Sequence, residues 1–145
     1  MSRFEHEADR ILDVYSRNRF SSPDSPYEAP LGTFKRESYR LLRQTIFTEG
    51  RHKIIKSIVR KMDVEPKRLK YRGNEFHFGL LAIDPHKDVL DRKRLSLWSR
   101  QLNYAHVHEV PAHLLLGFLW QSGSSAQVSQ KLAEGYREPW FAKGL

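Results

Sequence analysis

The sequence predicts an α+β fold: a mainly helical single domain carrying a small antiparallel β-hairpin. Three observations predict it. At 145 residues the chain has the length of one ordinary domain, enough to bury a core. Apolar residues recur at helical spacing through most of it. Between Lys67 and Ile83 the period changes: Leu69, Tyr71, Phe76, Phe78 and Leu80 alternate with Lys70, Arg72, Glu75 and His77 around Gly73-Asn74, the pattern of two strands joined by a tight turn.

The elements follow in order. Residues 1–19 form an N-terminal helix on Phe4, Ala8, Ile11, Leu12 and Tyr15, with acids in its first turns and arginines at its end, as the helix dipole favours. Residues 20–32, rich in proline and serine, are a loop, and residues 33–145 make the core. A second helix runs from Thr33 to Thr48, and Gly50 suits a left-handed stop. A third, Arg51 to Met62, buries Ile54, Ile55, Ile58, Val59 and Met62 and turns Lys53, Lys56 and Arg60 outward. After the hairpin, Asp84-Pro85 is a helix-start signal for a segment reaching about Asn103. Tyr104 to Val110 alternates and suits a third strand. The apolar run Ala112 to Gln121 has the pattern of a central core helix. Ser124 with Gln127 matches a capping box that opens a last helix from Ser125 to about Glu134, followed by a docked tail bearing Trp140 and Phe141.

Charge is distributed unevenly. The stretch from Lys35 to Arg72 holds thirteen Lys and Arg against four acids, a local excess of +9 in a chain whose net charge is +8. Such a run favours polyanionic partners, nucleic acid first, because each phosphate contact needs its own cation along one surface. The expected contacts are Lys53, Lys56, Arg60, Lys61, Lys67, Arg68, Lys70 and Arg72, with Tyr71, Phe76 and Phe78 placed to stack on unpaired bases. The chain would then be a non-catalytic nucleic-acid-binding or accessory protein, with DNA and RNA left open. The alternative is an adaptor or assembly subunit that binds an acidic protein and self-associates through its apolar C-terminal helices. Those helices also have the outline of a helix-turn-helix, with Gln127, Ser129, Gln130 and Lys131 outward.

A third reading is a metal-dependent enzyme at His106, His108 and His113. His106 and His108 would share one face of a strand, as metal-binding His-x-His pairs do. The His-Glu-x-x-x-His spacing is one residue too long for the zincin helix. With no cysteine, thiolate metal sites, disulfides and a Cys nucleophile are excluded. Gly-rich phosphate loops and the Gly-x-Ser-x-Gly elbow are absent, and no cofactor is expected. No apolar run reaches the ~20 residues of a membrane span, and the N-terminus has no apolar signal core, so a cytoplasmic protein is expected.

Overall fold

A computed structural model describes residues 2–19, 29–48, 50–65 and 74–141. Their regular structure is all helical, with no strand among the described residues. Helix α1 spans Arg3–Asn18, α2 Pro30–Thr48, α3 Arg51–Met62, α4 Glu75–Ile83 and α5 Arg92–Val107; a 3-10 turn at Ala112–Leu114 leads into α6, Leu115–Ser122, and α7, Ser125–Glu134.

The expected α+β class is therefore corrected to all-helical. The predicted hairpin of Lys67–Ile83 has no second arm: residues 75–83 are α4, and its proposed first arm lies outside the described residues. Asn74, expected in a turn, is the N-cap of α4, its side chain accepting from the His77 N–H at 3.1 Å. The apparent period of two has a simple cause. Phe76, Phe78, Gly79, Leu80, Ala82 and Ile83 are all buried, and a helix enclosed on nearly every side has no polar stripe to reveal its 3.6-residue repeat. α4 packs on α1, α2, α3 and α5, so it occupies the centre that the sequence assigned to Ala112–Gln121. That later segment is one-sided: Leu115, Phe118 and Leu119 are buried, whereas Leu114 and Trp120 are exposed.

Asp84 is buried, but it does not start a helix. Its carboxylate accepts the backbone N–H groups of Asp88, Val89 and Leu90 at 3.0, 2.8 and 2.8 Å, which folds residues 84–90 into a loop. Asp91 caps α5 instead, through the Arg94 N–H at 2.7 Å. α5 then continues through the segment expected as a third strand. Tyr104, Ala105 and His108 are buried there, a helical one-and-four spacing. Helices α1, α3 and α7 fall within a residue or so of expectation. The Ser124–Gln127 capping box is present, and Gly135 ends α7 in the left-handed conformation. Gly50, expected as a stop, has φ +79° and serves as N-cap of α3. α2 begins three residues earlier than expected, at Pro30, whose fixed φ suits a first helical turn.

The tail is held by a buried carboxylate. Glu138 accepts from the Tyr104 hydroxyl at 2.9 Å, the Lys131 ammonium at 2.7 Å and the Trp140 indole N–H at 2.9 Å. Its own N–H donates to His108 Nε2 at 2.8 Å, while His108 Nδ1 lies 2.9 Å from the Tyr104 carbonyl. Burial pushes the Glu138 carboxyl up, but the hydrogen bonds from Lys131, Tyr104 and Trp140 outweigh it and hold it below the usual carboxylate range. Phe141 and Trp140 close over Phe118, with ring centroids 5.3 and 5.4 Å away.

Gly79 sets the approach of α4 to α2. A β-carbon there would collide with the end of the Leu42 side chain, which is fully buried. In an open helix, Gly to Ala gains up to ~1 kcal/mol; overpacking a rigid core costs ~1–3 kcal/mol and prevails here. Gly79→Ala is expected to lower unfolding free energy in urea, opposite in sign to the helix-propensity effect.

Candidate nucleic-acid interface

Among the described residues of the basic stretch, five of the nine Lys and Arg meet an acid. On α2, Arg36 and Arg40 share Glu37, at 3.6 and 2.7 Å. Arg43 donates to the Val110 carbonyl at 2.7 Å, which also receives the Tyr39 hydroxyl at 2.7 Å. On α3, Arg51 pairs with Glu75, Arg60 with Glu5, and Lys61 with Asp9 at 2.7 Å. The helix is thus tied by charge to α4 at its start and to α1 at its end, with Ile54, Ser57 and Ile58 buried between. Lys53 and Lys56, three residues apart, have no ion pair or hydrogen bond to any described residue. Lys56 is exposed and Lys53 half-buried. Lys67, Arg68, Lys70, Arg72 and Tyr71 lie outside the described residues. Phe76 and Phe78 are 2% and 3% exposed, so neither is open to a base.

The Glu5–Arg60 pair is the contact that periodicity alone does not disclose. Glu5 reads as a solvated first-turn acid, yet it is buried at 6% exposure. A helical-wheel count places Arg60 outward, and its guanidinium folds back to meet it. Of the groove readers expected of a helix-turn-helix, Gln127 and Gln130 are exposed and Ser129 is half-buried. Lys131 turns inward to Glu138 and the Ser122 carbonyl, Gln127 is engaged in the cap, and Gln130 donates to Glu134.

The three histidines do not converge as ligands. Both ring nitrogens of His108 are engaged, by the Tyr104 carbonyl and the Glu138 N–H, and this assigns Nδ1 as donor and Nε2 as acceptor. His106 lies among rings, 4.9 Å from Phe47 and 5.5 Å from Phe76; burial, with the Arg43 guanidinium nearby, lowers its pKa. His113 is exposed on the 3-10 turn. Among the described residues no group of three His, Cys, Asp or Glu is arranged to hold a metal ion, and no helix is long and apolar enough to cross a membrane.

Lys35 opens the basic stretch and carries its ammonium into the fold. Burial first, then the Arg94 guanidinium, lowers it from 10.5 to about 8. Between those values the unfolded chain holds a proton that the fold does not, so the Lys35 contribution to stability rises with pH across that window. The stability difference between Lys35→Met and the unaltered protein should therefore favour the variant most below about pH 8 and shift away from it towards pH 10.5, measured by urea unfolding at fixed temperature.

Charge reversal separates the two kinds of cation on α3. Arg60→Glu sets a second carboxylate against buried Glu5 and is expected to cost ~1–3 kcal/mol, below the full cost of breaking a buried pair because Arg60 is half-exposed. Lys56→Glu should stay within ~0.5 kcal/mol. Urea titrations of both variants provide the comparison.

No known protein family, no characterised protein and no solved structure matches this chain.

Proposed function

We propose that the chain is a non-catalytic nucleic-acid-binding protein that grips phosphate through the outer face of α3 and the basic segment that follows it. The observation that supports this reading is the state of Lys53 and Lys56. Nothing described in the fold answers their charge, although neighbouring cations on the same helix are all matched by an acid. An unmatched pair three residues apart lies along one side of the helix, and Lys67, Arg68, Lys70 and Arg72 follow in sequence. Arg60 and Lys61 belong to the same helix, but their charges are largely compensated by Glu5 and Asp9. They contribute less to phosphate binding than their number in the sequence implies.

Backbone contacts rather than base contacts would provide most of the affinity, since Phe76 and Phe78 are occupied in the core. Binding should then be tolerant of sequence and strongly dependent on salt.

The test is a salt titration against duplex DNA, single-stranded DNA and structured RNA. Each neutralised phosphate contributes a slope of about −0.9 on duplex DNA and about −0.7 on single strands in log affinity against log salt. The double variant Lys53→Glu/Lys56→Glu, at two positions that make no ion pair with a described residue, should keep its unfolding free energy and reduce the magnitude of that slope by about two units. An unchanged slope, or absence of binding by the unaltered protein at low salt, would overturn the proposal.

A further inference from the structure

Lys35 enters the fold without a counter-ion. Its ammonium donates to the Gln101 side-chain carbonyl at 2.9 Å and sits 4.5 Å from the centroid of the Trp98 ring. Among the described residues no carboxylate lies within ion-pair distance of it. A cation removed from much of its water and left unmatched is costly, and here the Arg94 guanidinium adds to that cost. The acid closest in sequence, Glu37, pairs with Arg36 and Arg40, and Asp91, at the cleft rim, uses its carboxylate to cap α5.

Lys35 lines two clefts. One, of about 540 Å³, runs over Leu116, Leu119 and Trp120 to Ser124 and Ser125. The other, of about 340 Å³, is bordered by Asp91, Lys93, Arg94 and Trp98. Gln101 belongs to both: its carbonyl receives Lys35 and its amide donates to the Ser125 hydroxyl at 3.3 Å. Along the first cleft, Trp120 is 83% exposed, the most solvated large apolar side chain among the described residues. Together the two clefts present a partly desolvated cation, two further cations and one capping carboxylate, Asp91, at the rim, a polar pair shared between them and a bare indole face.

We propose that these clefts bind a small phosphate monoester carrying a planar ring, the chemistry of a nucleoside monophosphate, with its phosphate between Lys35 and Arg94 and its ring on Trp120. The phosphate supplies the negative charge that Lys35 lacks, and its several oxygens suit an ammonium and a guanidinium together. The ring covers Trp120, because a flat π-face stacks on indole whatever its substituents. The site lies on α2, α5, α6 and the start of α7. It uses none of the α3 lysines, so it stands independently of the reading given above.

Adenosine 5′-monophosphate titrated into the full chain, followed by calorimetry and tryptophan fluorescence, tests it; adenosine and inorganic phosphate serve as the separate halves. The monophosphate should bind at least about ten-fold more tightly than either half, since charge and stacking each contribute. Trp120→Ala, at an exposed position, should leave the melting temperature unchanged, abolish the fluorescence quench and weaken binding at least about five-fold. Lys35→Met should weaken it to a similar degree, and the unaltered protein should lose affinity as pH rises through about 8. Lys53→Glu/Lys56→Glu should bind as the unaltered protein does. Affinity no better than that of inorganic phosphate, a quench that survives Trp120→Ala, or a loss confined to the α3 variant would each overturn the proposal.

Discussion

The fold depends on enclosing α4, nine residues with almost no polar side, at the centre of the molecule. Burying such a helix is favourable per unit of apolar area, but its ends carry backbone groups that lose water with it. Its start is answered by a short polar side chain and its end by a backbone amide, the Asp84 N–H donating to the Leu80 carbonyl at 3.0 Å. Asn74 takes an N–H at the start, and Asp84 follows at the end, gathering three N–H groups of the next loop. The loop in turn delivers Val89 and Leu90 to the core and sets the point at which α5 begins. The neighbouring helices then need only one apolar face each, which is what α1, α2, α3 and α5 present.

Charge has a second, directional role. α3 carries five cations, and were all of them solvated they would repel one another. Three instead meet acids on α1 and α4, so the excess that looks uniform in sequence is divided into internal ties and an open remainder. The open part is a pair of lysines on one side of the helix. Lys35 differs from both kinds, since its partners are an amide and an aromatic face. A local net charge therefore overstates the surface available to a polyanion, and the chemistry of each cation is set by what the tertiary fold places opposite it.

How much could be read in advance follows from the same physics. Helices that bury one face declare it: α1, α2, α3 and α7 were legible from their apolar spacing, and the Ser124–Gln127 cap from its residue types. The misread parts are those in which context overrides local pattern. Phe76, Phe78 and Leu80 alternate with other residues, and only the neighbouring helices reveal that the intervening positions are buried too. Asp84-Pro85 has the composition of a helix start, yet its carboxylate reaches residues four to six positions ahead. Of the candidate site, Lys56 was correctly placed outside. The inward turns of Glu5 and Arg60, the engagement of His108 and the setting of Lys35 all depend on partners far away in sequence, which periodicity does not encode.

The Glu138 cluster has a consequence for the boundaries of the folded unit. Residues 136–141 form no helix, and a boundary drawn from secondary structure would stop at Gly135. A polypeptide cut there would leave the Tyr104 hydroxyl, the Lys131 ammonium and the His108 acceptor facing a void once filled by one carboxylate and one amide. It would also uncover the Phe118 ring. The packed unit therefore extends past the last helix at least to Phe141, and any fusion or split of the chain should be placed beyond that residue rather than at the end of α7.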